Sequence, residues 1–239
     1  MDKQELRERV WDELEESGVA RFPYPPHGRI PNFAGASDAA IRLTELAAWQ
    51  HADVIKSNPD SPQLSVRRAA LREGKTVYVA VPRLRDEKCF LRLDPDEIED
   101  VDHATTIGGS AEVGEQVAPG EMEPVDLIVS GSVAVNDSGA RVGKGEGYSD
   151  LEFAILREFG LADDATTTVT TVHDLQVVDE PIPTTPQDVP IDCICTPERT
   201  VDTPSPDGKP TGIAWELVDD ERRAEIPVLA RLAADAESS

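Results

Sequence analysis

The chain has 239 residues, with 47 acidic against 23 basic, a net charge of −24 and a hydrophobic fraction of 39%. That length suits one large α/β domain or two small ones with a packed core. The charge argues against a broad nucleic-acid surface, which needs a basic patch, and no stretch approaches the roughly 20 apolar residues of a membrane span. Acidic residues run along the whole chain and do not gather in a tail, a solvation pattern that fits a high-salt, halophile-like cytoplasm. At molar salt the Debye length is about 3 Å and such self-repulsion is screened. The charged start, Met1 to Arg7, carries no apolar signal region, so a cytoplasmic protein is expected. Three cysteines, Cys89, Cys193 and Cys195, read as small buried residues in a reducing compartment.

In chain order, residues 3–17 predict a helix with Leu6, Val10, Trp11 and Leu14 as its apolar stripe, ended by Ser17-Gly18. Residues 20–36 form a long loop rich in Pro and aromatics. Ser37-Asp38 should cap a second helix over about 38–49, carrying Ile41, Leu43, Leu46 and Trp49. A strand at 52–56, a helix over about 62–73 and a buried strand at 76–81 make a βαβ unit, hence a parallel sheet. Arg83 and Arg85 leave the carboxyl end of that last strand, where ligand crevices open in α/β sheets. Short strands are expected near 89–93 and 105–107, then a strand at 126–130. A helix follows at about 150–160, then a β-branched strand at 166–172 with a structural His173 at its end, and a strand at 191–195 that turns Cys193 and Cys195 to one face. From about residue 200 the composition changes. Residues 203–210 are linker-like, 212–217 read as a strand, and 221–232 as a closing helix that Pro227 kinks or starts, with residues 233–239 frayed. The fold class is therefore α/β: one domain with an open, mostly parallel, Rossmann-like sheet and helices on both faces. Residues 201–239 add a strand-plus-helix extension packed on it.

The chemistry concentrates between the strand at 126–130 and the helix that follows. Arg141 precedes Gly143-Lys144-Gly145-Glu146-Gly147-Tyr148-Ser149-Asp150. Glycines at such a corner let the backbone approach a ligand, and a helix N-terminus aims free N–H groups at it. With Arg141 and Lys144 beside them, the expected ligand is an anion, foremost a phosphate. No Lys-Ser/Thr pair closes the loop, so it is not a Walker A motif. In so acidic a chain, Lys3 and Arg7 stand out as basic residues that folding could bring to the same place.

Together these pieces resemble the 5-formyltetrahydrofolate cyclo-ligase family, and within it the divergent methenyltetrahydrofolate synthetase domain-containing branch. The carriers are Lys3 and Arg7 on the first helix, Arg141 before the Gly-x-Gly-x-Gly-Tyr loop, and Asp188-Val-Pro-Ile-Asp192. Further carriers are Ile30-Pro-Asn-Phe33, Asn58-Pro-Asp60 and Pro82-Arg-Leu-Arg85, over about residues 3–200. The resemblance implies an ATP- and Mg²⁺-dependent conversion of 5-formyltetrahydrofolate to 5,10-methenyltetrahydrofolate. It implies that Lys3, Arg7, Arg141, Gly143, Lys144, Gly145, Glu146, Gly147 and Tyr148 hold ATP, with Lys3, Arg141 and Lys144 acting in catalysis. Asp150 and Asp188 would bind Mg²⁺, and Tyr148, Ser149 and Asp60 would border the folate. Ser149 stands where the family has a second Tyr, and only Asp60 offers a carboxylate where the family has a Glu. A related ATP-using enzyme with a non-folate acceptor, and a non-enzymatic nucleotide- or RNA-binding module, are the other two readings. Nucleic acid is a poor fit to the charge, and a monomer is the favoured assembly.

Overall fold

The computed structural model describes residues 1–204 and 208–237. Residues 205–207 of the expected linker and 238–239 of the expected frayed end lie outside that description. Helix α1 (Lys3–Glu16) starts at a capping box: Asp2 accepts from the Gln4 and Glu5 N–H groups while Glu5 reaches back to the Asp2 N–H. Its buried stripe is Leu6, Val10, Trp11 and Leu14. The following loop contains a two-stranded ribbon, β1 (Ala20–Arg21) antiparallel to β2 (Asn32–Phe33).

The second helix is broken into α2 (Ala36–Thr44) and α3 (Ala47–His51) by an extended Leu46. Gly35 in the left-handed region is its N-cap, not Ser37 or Asp38, and Ile41 faces solvent. The break turns Trp49 into the core, where its indole N–H donates to Glu73 at 2.7 Å. Then come β3 (Val54–Ser57), α4 (Leu64–Arg72) and β4 (Thr76–Ala80), the βαβ unit read from the sequence. Strand β5 (Phe90–Leu93) folds back antiparallel on β4. Residues 105–107, expected as a strand, instead join two helices, α5 (Val101–Ala104) and α6 (Ile107–Val113). Thr106 is spent as the cap of α6, its hydroxyl accepting from the Gly109 N–H at 2.9 Å.

Strand β6 (Glu115–Val117) closes one edge, and β7 (Leu127–Val129) returns to the centre. A hairpin of β8 (Ala134–Val135) and β9 (Arg141–Val142) leads to α7 (Tyr148–Glu158). Strands β10 (Thr167–Thr171), β11 (Cys193–Cys195) and β12 (Thr200–Asp202) complete the sheet, and α8 (Asp220–Glu225) and α9 (Pro227–Glu237) end the description, with Pro227 starting α9. The strand expected at 212–217 is a coil with a 3-10 turn at Trp215–Leu217. Its Ile213 N–H donates to the Glu158 carboxylate of α7 at 2.9 Å, so a side chain, not a strand partner, satisfies that backbone.

The sheet order is β12-β11-β10-β7-β3-β4-β5-β6. Its five central strands pair in parallel, and β5, β6 and β12 join by antiparallel pairing, with β6 and β12 as the edges. Alternation along the strands sorts two cores. Val54, Tyr78 and Ile128 face α7 and the C-terminal helices, while Ile55, Val77 and Val129 face α2, α3 and α4. Cys193 and Cys195 lie together in the second core, and Ile194 points the other way. All three thiols are free and buried. Burial pushes Cys89 up to about 12, and hydrogen bonding with Cys195, together with burial, raises Cys193.

Candidate active site: two cavities sharing a glycine loop

Strand β3 leads to β4 on one side and β7 leads to β10 on the other, so the strand order reverses between β3 and β7. Ligands in open α/β sheets bind at the carboxyl ends of strands at such a point. Asn58-Pro59-Asp60 leaves β3 there, and Ser130-Gly131-Ser132 leaves β7. Asn58 Oδ1 accepts from the Gly131 N–H at 3.2 Å and ties the two exits together. Behind them the buried Arg67 of α4 donates to the carbonyls of Asn58 (2.6 Å), Pro59 (3.1 Å) and Asp60 (3.1 Å), which fixes the turn. Burial lowers the Arg67 pKa to about 10.

The β8–β9 hairpin carries the glycine loop over this crevice. Gly145 (φ 110°) and Gly147 (φ 69°) hold backbone that L-residues avoid. Gly147 is the N-cap of α7 and supplies no side-chain cap bond. A Cβ at Gly145 or Gly147 would meet its nearest neighbour only at 3.5 or 3.4 Å, so backbone conformation, not crowding, demands glycine.

The alternation of glycine with larger residues sorts the loop's two faces. Gly143, Gly145 and Gly147 line a basic cleft of about 180 Å³ with Lys3, Arg7, Arg141, Asp150 and Asp188. Lys144, Glu146 and Tyr148 line a neighbouring cavity of about 420 Å³ with Asn58, Asp60, Ser149 and Glu152. Arg141, Gly143, Gly147 and Asp150 border both. The loop is thus one wall between two sites.

Each residue singled out in the sequence can now be placed. Lys3 Nζ pairs with Asp188 Oδ2 at 2.7 Å, and Arg7 Nε donates to the Gly143 carbonyl at 2.7 Å. Arg141 is buried; its Nη1 donates to the Gly131 carbonyl (2.9 Å) and its Nη2 to Asp150 Oδ1 (2.6 Å). Asp150 also accepts from the Val189 N–H at 3.0 Å, which brings the Asp188 segment against the head of α7. Lys144 turns away from the basic cleft and pairs with Glu146 at 2.7 Å on the cavity side. Ser149 Oγ points inward to Asn58 Oδ1 (3.3 Å) and Ser130 Oγ (3.4 Å). Burial holds the Asp60 carboxyl above its ordinary range, opposed by Lys144 and Arg67. Arg83 reaches the cavity rim from a turn in which Arg83 (φ 58°) and Leu84 (φ 54°) are both left-handed; Arg85 does not line either space. Strain of about 1–3 kcal/mol at such residues persists where surrounding structure enforces it, often at functional sites. His173 is structural: its Nδ1 accepts from the Leu175 N–H at 3.2 Å, and burial lowers its pKa, which suits a neutral acceptor.

Two groups escaped the sequence reading. Lys56 of β3 and Glu152 of α7 form a buried ion pair, and Glu152 lines the cavity. The pair meets outside hydrogen-bond geometry, and neither Lys56 Nζ nor Glu152 Oε2 has a hydrogen-bond partner. Each was visible as a charge inside an apolar run. The other is Arg222 of α8, whose guanidinium lies 4.7 Å from the Tyr148 ring centroid. Nothing local in the sequence marks it.

The glycine loop thus sets a basic cleft beside the cavity at the switch point of an open α/β sheet. The chain belongs to the 5-formyltetrahydrofolate cyclo-ligase family, whose model matches residues 1–197. It is 43% identical to a mouse methenyltetrahydrofolate synthase domain-containing protein over 97% of this chain, and 38% identical to the human protein of that name over 98%. It spans 63% and 62% of the length of those relatives. Its fold matches the NMR structure of Aquifex aeolicus 5,10-methenyltetrahydrofolate synthetase with a TM-score of 0.54 at 19% identity, covering 87% of this chain and 95% of that one.

Proposed function

We propose that this protein uses ATP to convert 5-formyltetrahydrofolate to 5,10-methenyltetrahydrofolate. The observation that carries the reading is the glycine loop acting as the common wall of two sites. The triphosphate lies in the basic cleft, on the loop N–H groups with Lys3, Arg7 and Arg141 as counter-charges. The acceptor lies in the neighbouring cavity against Tyr148, Ser149 and Asp60. The formyl oxygen takes the γ-phosphoryl group across the seam bordered by Arg141 and Asp150, and ADP is released. N10 of the folate then closes on the activated carbon, and inorganic phosphate leaves. Phosphoryl transfer needs positioning and charge neutralisation more than covalent chemistry, which is what this seam offers.

Asp150 and Asp188 both line the cleft and are joined through Val189, a pair of carboxylates that suits Mg²⁺ sharing phosphate oxygens. When bound there, Mg²⁺ would neutralise the charge that develops on the phosphates. Among the described residues no group of three or more His, Cys, Asp or Glu is placed to hold a metal ion, so the remaining ligands would come from nucleotide and water. Asp150→Asn should therefore raise the Mg²⁺ concentration needed for half-maximal turnover, measured by Mg²⁺ titration at fixed ATP.

Lys144 sits on the acceptor side and pulls the Asp60 pKa down. Lys144→Ala should weaken ATP by no more than about tenfold, the worth of one charged contact. It should also move the acid limb of the pH–rate profile upward, since Asp60 loses a cation that favours its ionised form. An unmoved limb would detach Lys144 from Asp60.

The direct test is to incubate the protein with 5-formyltetrahydrofolate and MgATP at high salt and follow methenyl absorbance. No product from a folded sample that binds ATP would overturn the folate assignment. Such a result would favour a related ATP-using enzyme on another acceptor. The observation that points there is Ser149, whose hydroxyl faces inward where the family places an aromatic ring.

A further inference from the structure

The family model ends at residue 197, yet the basic cleft does not. Its far wall is built by Ile213, Ala214, Leu217 and Val218, and its fourth cation is Arg222. The segment is anchored from both ends. Ile213 donates its N–H to Glu158 of α7, and Ile226, Val228 and Leu229 are buried in the same core as Phe153 and Leu156. Between the anchors, Arg222 donates to the carbonyl of Glu146 within the glycine loop and lies over Tyr148. An Arg222 nitrogen is also the nearest neighbour that a Cβ on Gly147 would meet, at 3.4 Å. In a chain of net charge −24, four cations thus line one cleft of about 180 Å³.

The lining is divided by chemistry. The glycine loop, Lys3, Arg7 and Arg141 match phosphate, and Leu151, Ala154, Ile213, Leu217 and Val218 add apolar surface to the same cleft. A nucleotide has that same division between polyphosphate and base. We infer that residues 213–222 are a working part of the nucleotide site: the apolar wall receives the nucleobase, and Arg222 positions the glycine loop and neutralises phosphate charge. This deepens the proposed ATP reading and rests on it. Arg222 is a suitable residue for both tasks, because one planar guanidinium can stack on an aromatic face while its edge donates hydrogen bonds. Its guanidinium donates to the neutral Glu146 carbonyl and lies over the neutral Tyr148 ring.

The test uses the full chain and measures binding of MgATP and of inorganic tripolyphosphate by calorimetry, for the wild type, Arg222→Ala, Arg222→Lys and Leu217→Ser. Leu217 is 46% exposed, so its substitution leaves the core intact. Arg222→Ala should weaken both ligands by about tenfold, and Arg222→Lys should recover part of the tripolyphosphate affinity but not the full ATP affinity. Leu217→Ser should weaken ATP severalfold and leave tripolyphosphate unchanged, a split that a merely structural role would not produce. Wild-type affinity for ATP in both Arg222→Ala and Leu217→Ser would overturn the inference while leaving the proposed function standing. A wild type that binds neither ligand would overturn both.

Discussion

Lys56→Met should lower the unfolding free energy by about 3–5 kcal/mol, read as a fall in the urea midpoint at unchanged m-value. Lys56 sits opposite Tyr78 and Ile128 in the central sheet and is 1% exposed. Its ammonium faces Glu152 on the first turns of α7, under the glycine loop. Removing the cation leaves a buried carboxylate whose Oε2 has no hydrogen-bond partner. Replacing both partners with apolar residues, as in Lys56→Met with Glu152→Leu, should restore most of the lost stability, since it is the unpaired charge that is costly. The penalty should persist in molar salt. An exposed pair such as Arg72–Asp102 is screened there, whereas a buried one is not. The double variant separates stability from function: Glu152 lines the cavity proposed to hold the acceptor, so a stable double variant should still bind acceptor poorly. A Lys56→Met protein as stable as wild type would mean that the contact between Lys56 and Glu152 does not stabilise the fold.

The parts of the fold that a local pattern encodes were legible. The apolar stripe of α1, the βαβ unit at β3-α4-β4 and the alternation of Cys193 and Cys195 follow from periodicities of 3.6 and 2. What a tertiary partner decides was not. The apolar pattern of 36–51 reads through a break that exists to bury Trp49. Residues 212–217 carry a strand-like composition but lie on α7 with no strand beside them. The site shows the same division. The loop from Arg141 to Asp150 is continuous, so its gathering of glycines and cations is readable. That its two faces serve different spaces depends on how the β8–β9 hairpin sets it over the β3 and β7 exits. Arg222 could not be found by spacing, because it meets Glu146 from 76 residues away. Lys56 and Glu152 could have been: a charge in a buried strand and a charge on the apolar face of a helix call for each other.

Arg141→Lys should reduce kcat/KM by about 10²–10³, a loss typical of removing one preorganised donor from a charge-developing site. The substitution keeps the positive charge, so geometry is what it tests. Arg141 spans two structures: one nitrogen donates to Gly131, at the exit of β7, and another to Asp150, at the head of α7. It also borders both spaces at the seam where the phosphoryl group is proposed to cross. A lysine ammonium is a single point and cannot hold both partners in a planar fork. The loss should fall mainly on kcat, with ATP affinity changed by no more than about tenfold, because Lys3 and Arg7 still line the basic cleft. Arg141→Ala should be slower still and should regain turnover on addition of guanidinium or methylguanidinium at millimolar concentration. Lysine at this position should not be rescued, since its side chain fills the gap. Near-native kcat in Arg141→Lys would move the transfer step away from this seam and return the glycine loop to a binding role alone.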